Sequence, residues 1–251
     1  MTLPKTVLIT GANGQTAVYL AKRLSEHGCH LLLLYHKRID RIEPWLKGGN
    51  QDIPAEPCDI TDCAQTRASI AKLIQRSGLQ PDGLIHTAAV RSADAQILSE
   101  TNPPMWEQVL RSNLLGAYHV LHCVLPFMQA QGKGRIVLFG SSVTQGGLPQ
   151  GSAYAAAKAG LVNLAKTTAQ EYLEAGIIIN AVSPGPLDTD LVADYQGNYL
   201  QFRRKYFSEY LKAHPQNHLV SMEEVAETVI ALLDYEQHIT GQEIFLPQEV
   251  K

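Results

Sequence analysis

The chain has 251 residues, 45% hydrophobic and 18% charged, a balance that suits a globular α/β protein with a substantial core. Its 24 acidic and 21 basic residues leave a formal net charge of -3, which offers no basic footprint to nucleic acid and no attraction to an anionic membrane. Cys29, Cys58, Cys63 and Cys123 lack metal-ligand spacing and read as reduced structural thiols, so no metal is expected. The N-terminus runs straight into a strand-like segment and no apolar run is long enough to span a bilayer, so a cytoplasmic location is expected.

The run Thr6 to Thr10 is short, apolar and β-rich, and Gly11-Ala12-Asn13-Gly14 then leads into a helix-like segment over 15–27. Strand, glycine turn and helix open a dinucleotide-binding βαβ unit: Gly11 suits the tight turn and Gly14 lets the main chain approach phosphate oxygens at a helix N-terminus. A plain strand-to-helix turn explains the same glycines equally well. His30 to Tyr35 is a continuous apolar run, as a parallel strand covered on both faces requires. His36, Lys37 and Arg38 follow it with no acid at Tyr35 or His36, which favours the 2′-phosphate of NADP(H) over the ribose hydroxyls of NAD(H). A solvated loop of charges is the alternative.

A third strand is expected over 54–59, with Thr61 or Asp62 capping a helix over 63–76. A fourth strand and its turn cover 83–89, and Pro103 and Pro104 lead into a long helix over 105–130. Along that helix Trp106, Leu110, Asn113, Ala117, Leu121, Val124 and Met128 form a core stripe in steps of three and four. Asn113 is the anomaly in it, an amide that is either hydrogen-bonded structurally or functional. A fifth strand over 135–139 ends in Gly140-Ser141-Ser142, and a loop over 143–151 delivers the chain to Ser152-Ala153-Tyr154.

Tyr154 and Lys158 stand four residues apart, so on a helix they share a face. A nearby ammonium brings a phenol towards its working range as an acid-base catalyst, although the pair alone also describes ordinary surface residues. The sixth strand covers 177–183 and is broken by Pro184-Gly185-Pro186. Residues 187–213 mix Tyr195, Tyr199, Phe202, Tyr206, Phe207 and Tyr210 with Arg203, Arg204 and Lys205, a composition that reads as a substrate lid rather than an RNA surface. Ser221 and Glu224 form a capping box for a last helix to about Leu233, and 239–246 closes the sheet. The alternation implies one α/β domain over 1–251, a Rossmann-like, doubly wound parallel sheet of about seven strands flanked by helices.

These motifs, in this order, resemble the short-chain dehydrogenase/reductase family over roughly residues 6–246. Carrying the resemblance are Tyr154 and Lys158, Ser141 thirteen residues before the Tyr, Asn113 on the fourth helix, Asp59 after the third strand, and Asn180-Ala181 with Pro184, Gly185 and Thr189. The resemblance implies that Tyr154 moves a proton at a carbonyl or alcohol oxygen, Lys158 lowers its pKa and binds the nicotinamide ribose, and Ser141 hydrogen-bonds the substrate oxygen. Ser142 is the substitute if the loop is one residue short. Asn113 would hold a water on the proton path to Lys158. Implied cofactor contacts are Gly11, Asn13, Gly14, Gln15, Thr16, His36 to Arg38, Asp59, Ile60, Ala88, Tyr154, Lys158, Pro184, Gly185, Leu187 and Thr189.

Three departures from the family pattern stand out. Gln15 and Ala17 replace glycines and Gly14 falls one place early; His86-Thr87-Ala88-Ala89 replaces Asn-Asn-Ala-Gly; Leu246-Pro247-Gln248 replaces Asp-Gly-Gly. The expected function is NADP(H)-dependent reduction of a carbonyl, or the reverse, with a β-ketoacyl thioester on an anionic carrier as a candidate substrate. The alternatives are a non-catalytic NAD(P)-binding sensor or scaffold, and an epimerase or dehydratase with retained NAD. A homodimer or homotetramer is expected from the resemblance, helped by the small residues Ala155 to Gly160.

Overall fold

Seven apolar runs build one sheet. The computed structural model describes residues 3–48, 53–213, 218–234 and 239–246. The strands are β1 (Thr6–Thr10), β2 (His30–Tyr35), β3 (Ala55–Pro57), β4 (Gly83–His86), β5 (Gly134–Phe139), β6 (Ile177–Pro184) and β7 (Glu243–Leu246), in the order β3-β2-β1-β4-β5-β6-β7. Every pairing is parallel, with Thr10 opposite both Leu34 and His86 at the carboxyl ends. Because β1 is followed by β2 on one side and β4 on the other, a crevice opens between their carboxyl ends, where ligands of such sheets bind.

Helices cover both faces, which is why β1, β4 and β6 are buried throughout, with apolar runs rather than an alternating pattern at their centres. Against one face pack α3 (Cys63–Ser77), α5 (Gly116–Gln131) and α7 (Ser152–Glu171), around Leu8, Leu84, Ile136, Ile179, Ile70, Val124 and Leu161. The other carries α1 (Gln15–Glu26) and α10 (Met222–Asp234), around Ile9, Leu33, Val137, Leu20, Leu24, Val225 and Val229. The expected caps form. The Asp62 carboxylate accepts from the Gln65 amide, and Ser221 and Glu224 exchange bonds of 2.8 and 3.1 Å.

Several boundaries differ from the sequence reading, each for a local reason. Edge strand β3 is limited to three residues, ending at Pro57, which has no N–H to donate. β4 stops at His86, and 87–97 is irregular. The expected long helix is α4 (Pro103–Leu110) and α5 joined by a π-helical turn over Arg111–Leu115 that contains Asn113. Such turns are rare and concentrate at functional sites. The loop over 143–151 begins with a short helix, α6 (Val143–Gly146), and a helix that the sequence reading lacked, α2 (Glu43–Gly48), follows β2. β7 begins at Glu243, after a turn with Gly241 at φ +70°. Pro247 and Gln248 lie outside the described residues. Beyond β6, α8 (Leu191–Asp194) and α9 (Gly197–Ala213) cross the carboxyl end of the sheet. No helix among the described residues is long and apolar enough to cross a membrane, and no group of His, Cys, Asp or Glu there could hold a metal ion.

Candidate active site

A cleft of about 740 Å³ runs along the carboxyl ends of the strands. It is lined by Gly11, Asn13, Gly14, Gln15, Thr16, His36, Lys37, Arg38, Ala88, Ser141, Tyr154, Lys158, Pro184, Gly185, Leu187 and Thr189, so residues scattered over the whole chain share one space. Asn113, Asp59 and Ile60 are absent from the lining. Asp59 stands just behind it, 3.9 Å from His36, where Thr61 donates to its carboxylate and holds its pKa down.

At one end the chain turns sharply from β1 into α1. Gly11 has φ +67°, and a Cβ there would lie 2.8 Å from the Ala88 Cα. Gly14 caps α1 without any side-chain bond to its first turn, so the helix presents its free N–H groups to the cleft. This cradle fits a pyrophosphate. Gln15, in place of a glycine, reaches across: its amide donates to the Asp190 carbonyl at 2.9 Å and to the Asp194 carboxylate at 2.8 Å, and accepts from the Asp190 N–H at 3.0 Å. Arg41, unnoticed in the sequence, adds a 2.6 Å pair with Asp194 while its own N–H donates to Asn13 at 2.8 Å.

The basic run after β2 does not act as one group. Arg38 forms a two-pronged pair with Asp40 at 3.0 and 2.9 Å, which holds the Asp40 carboxyl down to about 2, and His36 leans on Asp59. Lys37 has no ion pair among the described residues. The sequence reading passed over Asp40, an acid close to the end of β2.

The catalytic end is assembled by β5, α7 and the loop after β4. On α7 the buried stripe Ala153, Tyr154, Ala157, Lys158 and Leu161 confirms the shared face of the Tyr and Lys. Lys158 is 2% exposed, donates to the Phe139 carbonyl at 2.5 Å, and places its ammonium 5.7 Å from the centre of the Tyr154 ring. Burial and the neighbouring Arg91 hold the Lys158 pKa below that of an ordinary lysine. Burial alone would raise the Tyr154 phenol, but the charges of Arg91 and Lys158, a hydrogen bond with Ser141 and the charge of Arg203 outweigh it, so the net shift is downward.

The two serines separate. The Ser141 side chain lies beside the Tyr154 phenol and helps to hold its pKa down, and the Ser141 N–H donates at 3.1 Å to the Ser183 hydroxyl, which in turn donates to Glu243 at 2.7 Å. Ser142 instead lies beside the Tyr206 phenol on α9. Ser141 is thus the serine at the phenol. Asn113 is fully buried, and its amide accepts from the Val90 N–H at 2.8 Å and donates to the Val90 carbonyl at 2.7 Å. Both bonds fix the loop beyond β4.

That loop carries the residue the sequence reading missed. The Arg91 guanidinium lies 4.5 Å from the centre of the Tyr154 ring and beside the Tyr195 phenol, while the next residue, Ser92, accepts from the Tyr154 N–H at 3.3 Å. His86, in place of the family's Asn, bonds through Nδ1 to the Thr10 hydroxyl at 2.8 Å, and burial beside Lys158 pushes its pKa down to about 3. It is therefore neutral and ties β4 to β1. Of the three basic residues on α9, Arg203 is buried and faces the cleft, whereas Arg204 and Lys205 are exposed.

The chain is similar in sequence and fold to known proteins. The family model described as Enoyl-(Acyl carrier protein) reductase matches residues 15–247. Oxidoreductase UcpA of Salmonella typhimurium is 32% identical over 244 residues, spanning 94% of this chain and 90% of that one. The 3-oxoacyl-(acyl-carrier-protein) reductase FabG of Staphylococcus aureus is 27% identical over 248 residues, spanning 97% of both chains. In fold, a solved NAD+-bound xylitol dehydrogenase superposes with a TM-score of 0.86 over 96% of this chain and 97% of that one, at 24% identity. With a parallel sheet of the right order, a glycine cradle at its switch point and a Tyr–Lys pair facing the same cleft, the chain belongs to the short-chain dehydrogenase/reductase family and is an NAD(P)-dependent oxidoreductase.

Proposed function

We propose that the protein interconverts a carbonyl and an alcohol with Tyr154 as proton donor and acceptor, and that it uses NADP(H) in preference to NAD(H). The observation that carries this reading is the buried Tyr154 phenol, set between Lys158, Arg91 and Ser141 with its pKa drawn below the ordinary tyrosine range. When bound, the reduced nicotinamide dinucleotide supplies the hydride that the carbonyl carbon accepts. Tyr154 gives its phenolic proton to the carbonyl oxygen in reduction and takes it back in oxidation, and Ser141 hydrogen-bonds that oxygen. Lys158 and Arg91 stabilise the phenolate left behind, and Lys158 holds the nicotinamide ribose. Asn113 fixes Val90, and so the Arg91 loop, and its π turn is the proposed station of the water that leads towards Lys158.

The main-chain turn from Gly11 to Thr16 holds the pyrophosphate, and Ala88, Asp59 and Ile60 border the adenosine. Pro184, Gly185, Leu187 and Thr189 hold the carboxamide. The preference for NADP(H) is supported by His36, Lys37, Arg38 and Arg41 lining one end of the cleft, where Asp40 engages only Arg38 strongly. Residues 187–213 serve as the lid. Assembly into a homodimer or homotetramer, supported by the exposed small residues Ala156 and Ala159 on α7, and action in the cytoplasm complete the proposal.

Fluorescence titration with NADPH and NADH, followed by turnover on a panel of ketones and ketoacyl thioesters with Tyr154→Phe as control, tests the reading. Tighter binding of NADPH, and turnover that Tyr154→Phe abolishes without loss of cofactor binding, are expected. A Tyr154→Phe variant as active as the parent would refute the proton-transfer role, and tighter NADH binding would refute the cofactor preference.

A further inference from the structure

Two guanidinium groups face the substrate end of the cleft, and neither has a carboxylate partner among the described residues. Arg91, on the loop after β4, flanks the Tyr154 ring at 4.5 Å. Arg203, on α9, is 7% exposed and sits among Phe207, Tyr206 and Tyr195, its guanidinium carbon 4.7, 5.7 and 5.8 Å from their ring centres. Those ring faces stabilise the cation, but its buried Nε has no hydrogen-bond partner among the described residues, and the residue lines the cleft. Holding two like charges in one cleft, Arg203 buried and Arg91 partly buried, without a carboxylate beside them costs free energy unless an anion joins them.

We propose that the substrate carries its own carboxylate, held by Arg91 and Arg203 beside the reacting carbonyl. The proposal rests on the oxidoreductase reading of this cleft and narrows its substrate to an oxo acid and the matching hydroxy acid. A guanidinium offers a planar fork of donors, and a carboxylate is the small anion whose two oxygens match it. Because Arg91 stands against the same phenol that protonates the carbonyl oxygen, the carboxylate lies only a few bonds from that carbonyl. A phosphate at the far end of a pantetheine arm does not reach this place while the acyl carbonyl sits at Tyr154. Met105, Val109, Val143 and Leu148 line the same cleft and suit the hydrocarbon remainder of the acid.

The test compares unbranched 2-oxo and 3-oxo carboxylates with their methyl esters and with a 3-oxoacyl thioester of phosphopantetheine, all with NADPH. In the parent protein the acids are expected to exceed their esters in kcat/KM by about 10- to 100-fold, the range of a charge-assisted pair. Arg203→Gln is expected to bring that ratio towards one, Arg203→Lys to restore part of it, and the exposed Arg204→Gln to leave it unchanged. Esters turned over as well as the acids, a ratio that Arg203→Gln does not move, or a thioester preferred over the free acids would overturn the proposal and leave the oxidoreductase reading standing. Absence of turnover on all three classes would instead count against the oxidoreductase reading, and calorimetry of the NADPH-loaded protein with malonate then decides the anion site. Malonate binding that Arg203→Gln weakens about tenfold or more supports it; no binding, or equal binding by the variant, overturns it.

Discussion

Replacing Gly11 by alanine tests the cofactor cradle directly, because two separate costs can be worked out from its geometry. Its φ of +67° lies in the left-handed region, where a side chain costs about 1–2 kcal/mol. The new Cβ would also stand 2.8 Å from the Ala88 Cα and 2.9 Å from the Ala88 N, both main-chain atoms that cannot swing aside as a side-chain tip can. Forcing such a contact apart costs about 1–3 kcal/mol more. The sum, about 2–5 kcal/mol, is a large share of a typical domain's stability. Relief comes only by parting the β1 turn from the loop after β4, and both line the cleft, so NADPH affinity should fall as well. Gly14→Ala is the contrast: with φ -72° and only the Gly11 carbonyl oxygen near, at 3.2 Å, it should cost about 1 kcal/mol in stability while still obstructing the N-terminus of α1. Urea denaturation with and without NADPH, together with NADPH fluorescence titration, measures both. A Gly11→Ala protein with the parent's urea midpoint and NADPH affinity would refute the reasoning.

Further outcomes follow from the charges and caps. Arg91 favours the phenolate of Tyr154, so Arg91→Gln should raise the Tyr154 pKa and move the acid limb of the kcat/KM profile for alcohol oxidation to higher pH; an unmoved limb would show that Arg91 does not act on the phenol. Burial pushes the Glu56 carboxyl up, but hydrogen bonds from Lys72 and Arg76, each at 2.6 Å, outweigh it and leave its pKa below 4.5. A depressed acid stabilises fully above its unfolded pKa and loses that contribution as pH falls through the folded one, so Glu56→Gln should flatten the loss of stability below pH 4.5. With Lys72 and Arg76 about half exposed, the cost at pH 7 is about 1 kcal/mol, measurable by urea denaturation at both pH values. Ser221→Ala removes one arm of the capping box on α10 and should cost about 1 kcal/mol, read as a lower thermal midpoint.

What was legible in the sequence is what local periodicity constrains. Tyr154 and Lys158 could be placed on one face because a four-residue step has one outcome on a helix, and the strands could be found because covered parallel strands leave continuous apolar runs. Arg91 escaped because the segment after His86 is irregular, and no period says where its side chains point. Arg203 was read together with Arg204 and Lys205 because adjacent charges look like one patch, yet neighbours on a helix are about 100° apart and only Arg203 turns inward. Asn113 stood out as an amide in an apolar row, but its partner, Val90, is 23 positions away and its π turn leaves no mark in a pattern of three and four. Gln15 was recorded as a missing glycine, and its use depends on Asp190, 175 positions further on.

That last contact changes the meaning of the altered glycine motif. A glycine at position 15 would leave the start of α1 open, whereas Gln15, with Arg41, binds the first helix of the 187–213 segment through Asp190 and Asp194 directly beside the pyrophosphate cradle. Further along, the same segment approaches the Tyr154 end of the cleft, where Tyr195 lies beside Arg91 and Tyr206 beside Ser142. The segment thus meets residues at both ends of the cleft, those of the glycine turn and those around the Tyr154 phenol. The substitution that looked like the loss of a cofactor motif therefore joins the glycine turn at one end of the cleft to the segment that carries Arg203 at the other.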